Sequence, residues 1–480
     1  MTDDTMHGDP GAIRLAIIGG GPGGYPAAFL SAQLGMQVTL IDPAPNPGGV
    51  CLFRGCIPSK ALLHVAHTLE EAKEAPRYGV TFGAPALDLD RTRAWKDEIV
   101  ARLTGGLGAQ MKKLGVTHLR GTARFLGPRE LAVIDADGRE ERLAFTHAIV
   151  ATGSRPAIPA ALRCDSPRVL DSTGALALPD VPRTLLVVGG GYIGLELGSV
   201  YAALGSEVTV VEMTDGLLPG ADRDLVSMLS RRLDKKFAAI LLRTTVTVLA
   251  PQKNGVKVTL RGRDEKEETR LFERVLVSVG RRPNSEGLGL ETTRAQINER
   301  GFVTVDPRRE TAEPGLYAIG DLAGEPMLAH KATAESRVAV EAIAGEPVTF
   351  DPRAIPAVVF TDPEIAWCGA TETELRRDKR PFKAAKYPWG ASGRAATLGR
   401  PEGLTKVLAH PDTGRLLGVG LAGPGAGELI AEAVLAMEMG ANIDDLRLTV
   451  HPHPTLSETL MEAAEAMFTP AQRQGRRPSA

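Results

Sequence analysis

An α/β fold is predicted, with two similar α/β domains followed by a C-terminal α+β domain. Three observations carry it. Residues 13–42 and 184–212 each read as strand, glycine-rich turn, helix and strand, ending in an acidic residue. At 480 residues the chain is too long for one hydrophobic core, and length alone suggests roughly three or four domains. The last part of the chain, from 353, shows a β pattern followed by the helical stretch AGELIAEAVLAMEMG.

Composition narrows the function. With 43% hydrophobic and 24% charged residues the chain is globular, and a net charge of −2 gives no reason to expect nucleic acid or a membrane as partner. The first residues, MTDDTMHGDP, lack the basic and apolar regions of a signal peptide. No apolar run reaches the ~18 residues of a membrane span. A cytoplasmic location is expected. Four cysteines do not make a disulfide-stapled chain, so any bridge here is expected to be catalytic. Cys164 and Cys368 stand alone and read as ordinary thiols.

In the first unit IRLAIIG is the strand, YPAAFLSAQLG the helix and MQVTLID the second strand. Gly19, Gly21 and Gly24 form G-x-G-x-x-G, and Asp42 closes the unit. The first glycine allows a tight turn, the second lets the backbone approach a pyrophosphate, and the third lets helix and strand pack. The helix N-terminus then offers its N–H groups to the phosphates. The second unit repeats this with Gly189, Gly191, Gly194 and Glu212. Each acid lies 23 positions after the first glycine of its turn. One such motif is weak evidence; two in register indicate two Rossmann-like dinucleotide sites and electron transfer between them. Glu212 favours NAD over NADP, because a carboxylate accepts from ribose hydroxyls and repels a 2′-phosphate. No arginine follows it in EMTDG.

Directly after the first unit comes GGVCLFRGCIPSK, with Cys51 and Cys56 five positions apart. The pair could ligate a metal, staple the chain or cycle between thiol and disulfide. Zinc would need two further Cys or His ligands at suitable spacing, and no second pair follows; His64 and His67 suit one face of a helix beginning near Pro58. A cysteine at that helix N-terminus, with Lys60 close by, has its thiolate favoured, which supports redox exchange. Glu196 sits on an apolar helix, YIGLELGSVYAAL, where a buried carboxylate needs a partner. In HPHPTLSETL the prolines keep the chain out of a helix until about Thr455, and 456–468 reads helical. His453 suits proton transfer near neutral pH, and Glu458, at the start of that helix, can orient it. His451 reads as a neighbour. RGRDEKEETR, 261–270, reads as a solvated hairpin tip, and AQRQGRRPSA as a disordered tail.

The cysteine segment resembles that of the flavin-dependent disulfide reductases, the class I pyridine nucleotide-disulfide oxidoreductases. Within them it is most similar to the dihydrolipoyl dehydrogenases, over about residues 12–468. The supporting motifs, in order, are ATGSRP, SVGRRPN, GLYAIGDLAGEPMLAHKA, IPAVVFTDPEIAWCG, GPGAGELI and HPHPTLSE. Leu52-Phe53-Arg54 departs from the family's usual Leu-Asn and a small residue.

The resemblance implies an FAD-binding domain (12–155 and 285–352), an NAD-binding domain (156–284) and a dimerisation domain (353–468), with flexible tails at 1–11 and 469–480. FAD would meet the first glycine turn with Asp42, then Lys60, Gly121, Thr152, Gly153 and Ser154. Asp321 would take a ribityl hydroxyl, and Met327, Leu328, Ala329 and His330 would pass the flavin ring. NAD would meet Gly189, Gly190, Gly191, Tyr192, Ile193, Gly194, Leu195, Glu196, Glu212, Val246 and Gly280, with Glu196 paired to Lys60. Cys51 and Cys56 would form the redox disulfide, with His453 as the acid–base group and Glu458 orienting it toward the other subunit of a homodimer. No metal is implied. The implied reaction is oxidation of dihydrolipoyl groups by NAD⁺ in a 2-oxo acid dehydrogenase or glycine cleavage complex. The lipoyl group would arrive on a lipoylated acyltransferase subunit or lipoyl carrier protein. The alternative is an NADH-dependent reductase of another small disulfide or a metal ion; mercuric reductases carry a C-terminal cysteine pair, which is missing here.

Overall fold

The computed structural model describes residues 12–468; the tails expected at 1–11 and 469–480 lie outside the described residues. The chain forms two compact units.

The first unit comprises residues to Ala61, Asp88–Ala157 and Gly280–Asp351. Its centre is a parallel sheet in the spatial order Leu316–Ala318, His147–Val150, Arg14–Ile18, Gln37–Ile41 and Thr117–Leu119. These strands are apolar on both sides, as a parallel sheet covered on both faces requires. On one face Ile17, Leu40 and Ile149 pack with Ala27 and Ala28 of helix Gly24–Gln33 and Ala339 and Val340 of helix Ala329–Ile343. On the other, Ala16, Ile18 and Val150 meet Phe125, Leu131 and Val133 of a three-stranded antiparallel sheet. The chain leaves and re-enters this unit through a two-stranded ribbon, Ser154–Pro156 paired antiparallel with Arg281–Pro283.

The second unit comprises Leu62–Leu87, Ile158–Val279 and the residues from Pro352. It holds a parallel sheet ordered Ala239–Leu242, Glu207–Glu212, Thr184–Val188, Arg274–Val277 and Val169–Leu170, with helix Tyr192–Leu204 following the glycine turn. It also holds an antiparallel sheet of five strands, from Ala357–Val359 to Leu416–Gly423. Helices Ala426–Glu438 and Glu458–Glu465 pack into the core on that sheet. The charged run at 261–270 is a hairpin, Gly255–Arg261 paired with Glu267–Phe272.

Two details differ from the sequence reading. The helix expected near Pro58 starts at Cys56 and runs to Glu74, and a short helix, Gly49–Arg54, precedes it and carries Cys51. Residues 62–87, expected with the first domain, belong to the second unit. Their polar side chains hold them there: Glu74 pairs with Arg232 at 2.5 Å, Glu70 with Lys236 at 3.2 Å, and Arg77 donates to the carbonyl of Gly399.

Candidate active site

Both glycine turns are built alike. A Cβ on Gly24 would lie 1.7 Å from the carbonyl oxygen of Gly19, and one on Gly194 would lie 2.3 Å from that of Gly189, so helix and strand meet only because no side chain intervenes. The middle glycines differ. Beside Gly21 the nearest atom to an added Cβ is 3.8 Å away, and beside Gly191 nothing lies within 4 Å. The protein's own packing does not demand glycine there. The space fits a pyrophosphate that must approach the backbone closely. A bound dinucleotide is thus accommodated at both turns.

The closing acids also match one another. Asp42 accepts from the N–H of Gly20 at 2.6 Å and of Ala44 at 2.9 Å. Glu212 accepts from the N–H of Gly190 at 2.7 Å and of Thr214 at 2.7 Å. Each carboxylate therefore fixes its own turn. Around the second turn, Tyr192 is exposed, whereas Leu195 faces the core and donates its N–H to Gly191. Ile193 lies between them at the start of the helix, and Val246 is buried in strand Thr245–Gln252. Glu196 is 3% exposed and accepts from the N–H of Phe360 at 2.9 Å.

In the first unit, ATGSRP and SVGRRPN are laced together. Thr152 donates through Oγ1 to the Asn284 carbonyl, and the Asn284 amide donates back to the Thr152 carbonyl, both at 2.9 Å. Gly153 accepts from the Asn284 N–H at 2.9 Å. Ser154 donates to the carboxylate of Asp321, and Arg281 donates to Ser154 Oγ at 2.7 Å. Gly280 begins the return of the chain, beside Ala157. Gly121 packs against the Ile134 carbonyl of the antiparallel sheet. Met327 and Leu328 precede helix Ala329–Ile343, whose second residue, His330, is exposed.

Cys51 and Cys56 are both thiols and hydrogen-bond to one another. The hydrogen bond with Cys56, and then burial, push the Cys51 thiol well up; Lys60, on the next helix, pulls the other way. Cys56 is the exposed member and opens helix Cys56–Glu74. Proximity of this kind is what disulfide exchange within the pair requires. His453 is exposed, and its Nδ1 lies 2.8 Å from Glu458 Oε1. The second oxygen of Glu458 accepts from the Thr455 N–H at 2.7 Å. That backbone hydrogen bond, followed by the one with His453, holds the Glu458 carboxyl below its usual range. An ionised Glu458 aligns the imidazole with Nε2 directed away from it. His451 instead contacts Glu432, at 2.8 Å. Of the isolated cysteines, Cys368 is buried 3.7 Å from Met437 Sδ, and burial pushes its thiol up to about 12. Among the described residues no group of three or more His, Cys, Asp or Glu is placed to hold a metal ion.

Residues 13–336 match the family described as pyridine nucleotide-disulphide oxidoreductase, and residues 355–464 match its dimerisation domain. The chain belongs to the pyridine nucleotide-disulphide oxidoreductase family. It is 45% identical to dihydrolipoyl dehydrogenase of Haemophilus influenzae, covering 94% of each chain. It is 48% identical to that of Thermus scotoductus, covering 95% of this chain and 98% of the other. It is similar in structure to LpdA of Mycobacterium tuberculosis, with a TM-score of 0.88 and 29% identity, covering 95% of this chain and 100% of that one. It is also similar to the flavoprotein disulfide reductase RclA of Escherichia coli in its Cu(II) complex, with a TM-score of 0.84 and 28% identity, covering 95% and 99%.

For a member of this disulphide oxidoreductase family, sequence reasoning missed a second set of residues. Tyr25, one residue past Gly24, is near enough to both cysteines that their charge, after burial, raises its hydroxyl. Arg281 and Asn284 tie the ribbon to Ser154 and Thr152. Lys331 and Glu335 lie under the Asp321 turn. The last two carried a weak signal, opposite charges four apart on one helix, which ordinarily marks a solvated surface pair.

Proposed function

We propose that this chain oxidises protein-bound dihydrolipoyl groups to lipoyl groups and reduces NAD⁺ to NADH, as a flavoprotein dihydrolipoyl dehydrogenase. The hydrogen-bonded pair Cys51–Cys56, in a chain alike over 94% of its length to dihydrolipoyl dehydrogenases, carries the reading. In this reading residues 12–155 and 285–352 hold FAD, 156–284 hold NAD, and 353–468 form the interface of a homodimer.

The chemistry follows from the thiols. His453, held by Glu458, takes the proton of one substrate thiol. The resulting thiolate attacks Sγ of Cys51 in the oxidised pair, breaking the Cys51–Cys56 bond and leaving Cys56 as a thiolate. The second substrate thiol then attacks the mixed disulfide, releasing the cyclic lipoyl disulfide and Cys51. A bound FAD would supply the two-electron relay between the reduced cysteines and NAD⁺. The turns at Gly19–Gly24 and Gly189–Gly194 would hold the two dinucleotides, and Asp321 would hold the flavin's ribityl chain. In the homodimer His453 serves the cysteine pair of the partner subunit. The substrate arrives on a lipoylated acyltransferase subunit or lipoyl carrier protein in the cytoplasm.

The test combines a spectrum and an assay. Purified protein is expected to carry flavin absorbance and to reduce NAD⁺ with dihydrolipoamide. Cys51→Ser retains the sulfur at 56 and is expected to show a long-wavelength absorbance band, which Cys56→Ser lacks; both lose dihydrolipoamide oxidation. A band only in Cys56→Ser would reverse the two roles, and protein that takes up no flavin would sink the reading. The likeness to RclA supports a second reading, NADH-driven reduction of another disulfide or a metal ion. Turnover with such acceptors but none with dihydrolipoamide would select it.

A further inference from the structure

We propose that Lys331 and Glu335 are positioning residues for Asp321, gripping the peptide groups of the turn that presents its carboxylate; this rests on the FAD reading above. Asp321 follows Gly320 in the short turn Gly320–Leu322, and Gly320 has a φ of +72°, in the left-handed region. Both peptide groups of Gly320 are held from below. Glu335, 0% exposed, accepts from the Gly320 N–H at 2.6 Å. Lys331, 5% exposed, donates to the Gly320 carbonyl at 3.2 Å and to the Gly324 carbonyl at 3.2 Å, spanning the loop that follows. The two side chains pair with each other at 2.9 Å, one helical turn apart, and Arg309 closes on Glu335 at 3.0 Å.

From above, the Asp321 carboxylate accepts from Ser154, and Arg281 stands 4.0 Å from it. Backbone and side chain of this one residue are therefore fixed by different sets of groups. Charges buried this deeply are weak contributors to stability, since desolvation offsets their attraction. Their hydrogen bonds go to the peptide groups of a left-handed turn. Held that way, the Asp321 carboxylate is preorganised and loses little freedom when it accepts a ligand hydroxyl.

Lys331→Met is the discriminating variant. It keeps the length of the side chain and leaves Glu335 on Arg309 and on the Gly320 N–H, but removes both carbonyl contacts. FAD release is read by the recovery of flavin fluorescence, and the stability of the flavin-free protein is measured beside it. Lys331→Met is expected to speed FAD release about tenfold, while any loss of melting temperature in flavin-free protein, from a buried Glu335 left to Arg309, is expected to be the same with or without Asp321. In an Asp321→Ala background the same substitution is expected to have no further effect, since the two act through one carboxylate. Equal release rates in Lys331→Met and wild type, or an undiminished effect in the Asp321→Ala background, would overturn the positioning role while the FAD reading stands. Wild-type protein that takes up no FAD would remove both. Should Lys331→Met not fold, Arg309→Gln, which loosens Glu335 from one side, is expected to speed release in the same Asp321-dependent way.

Discussion

At position 212 the carboxylate expected to face a ribose already accepts two backbone hydrogen bonds, from Gly190 and Thr214. Its charge repels a 2′-phosphate, so kcat/KM is expected to be higher for NAD⁺ than for NADP⁺ in steady-state assays. Glu212→Arg narrows that gap mainly by losing NAD⁺, because an arginine cannot accept from either N–H and the turn loosens with it. The register of this acid was legible in the sequence; its second task was not, because a hydrogen bond back to the loop is visible only once the strand and the turn are folded. The same holds at Glu458, where pairing with His453 could be read from spacing and the anchoring bond from Thr455 could not. Glu458→Gln keeps an oxygen for the Thr455 N–H but removes the carboxylate from the imidazole. Dihydrolipoamide oxidation is expected to fall about a hundredfold, with flavin content unchanged.

Two helices and two loops of the second unit meet around Asp362. Arg232 and Lys236 of helix Arg223–Lys236 approach it at 3.2 and 3.3 Å, and Arg400 pairs with it from a neighbouring loop. The same two cations reach Glu74 and Glu70 near the end of helix Cys56–Glu74. Burial pushes Asp362 up, but the charges of Arg400, Lys236 and Arg232 outweigh it and hold the carboxyl at about 2, below its ordinary 3.8. A folded-state value below the unfolded one means the pairing stabilises the fold above about pH 4 and is lost as pH falls toward 2. Asp362→Asn is expected to cost about 2 kcal/mol at pH 7 and to flatten acid unfolding over that window, as followed by circular dichroism with urea. Little of this could be foreseen: strands and glycine turns announce themselves by periodicity, whereas an ion cluster drawn from residues 70, 74, 232, 236, 362 and 400 depends on how separate elements converge. That convergence also explains why residues 62–87 join the second unit rather than the first.

Across the whole molecule, the stretch that matches the dimerisation domain carries exposed apolar side chains at Leu435, Met439, Leu448 and Val450, the first two four residues apart at the end of helix Ala426–Glu438. Large apolar groups left together at a surface mark a protein interface. Glutamate at both 435 and 439 is expected to give a monomer in sedimentation velocity that keeps its flavin yet loses dihydrolipoamide oxidation, since in the proposed mechanism His453 serves the cysteine pair of the partner subunit. The two glycine units, each in its own parallel sheet, were readable from their spacing; that residues 158–279 join the residues from Pro352 in one unit was not. Another consequence lies in the ribbon where the chain crosses itself. The N–H of Ala157 donates to the carbonyl of Gly280 at 2.9 Å, so the stretch Ile158–Val279 departs and comes home at a single seam. A piece of chain with both ends at one seam can be exchanged by recombination without re-threading the remainder. In the proposed reading pyridine nucleotide preference travels with that stretch, and exchanging it takes two junctions at the seam and a match for Arg232 and Lys236, whose partners Glu70, Glu74 and Asp362 lie outside it.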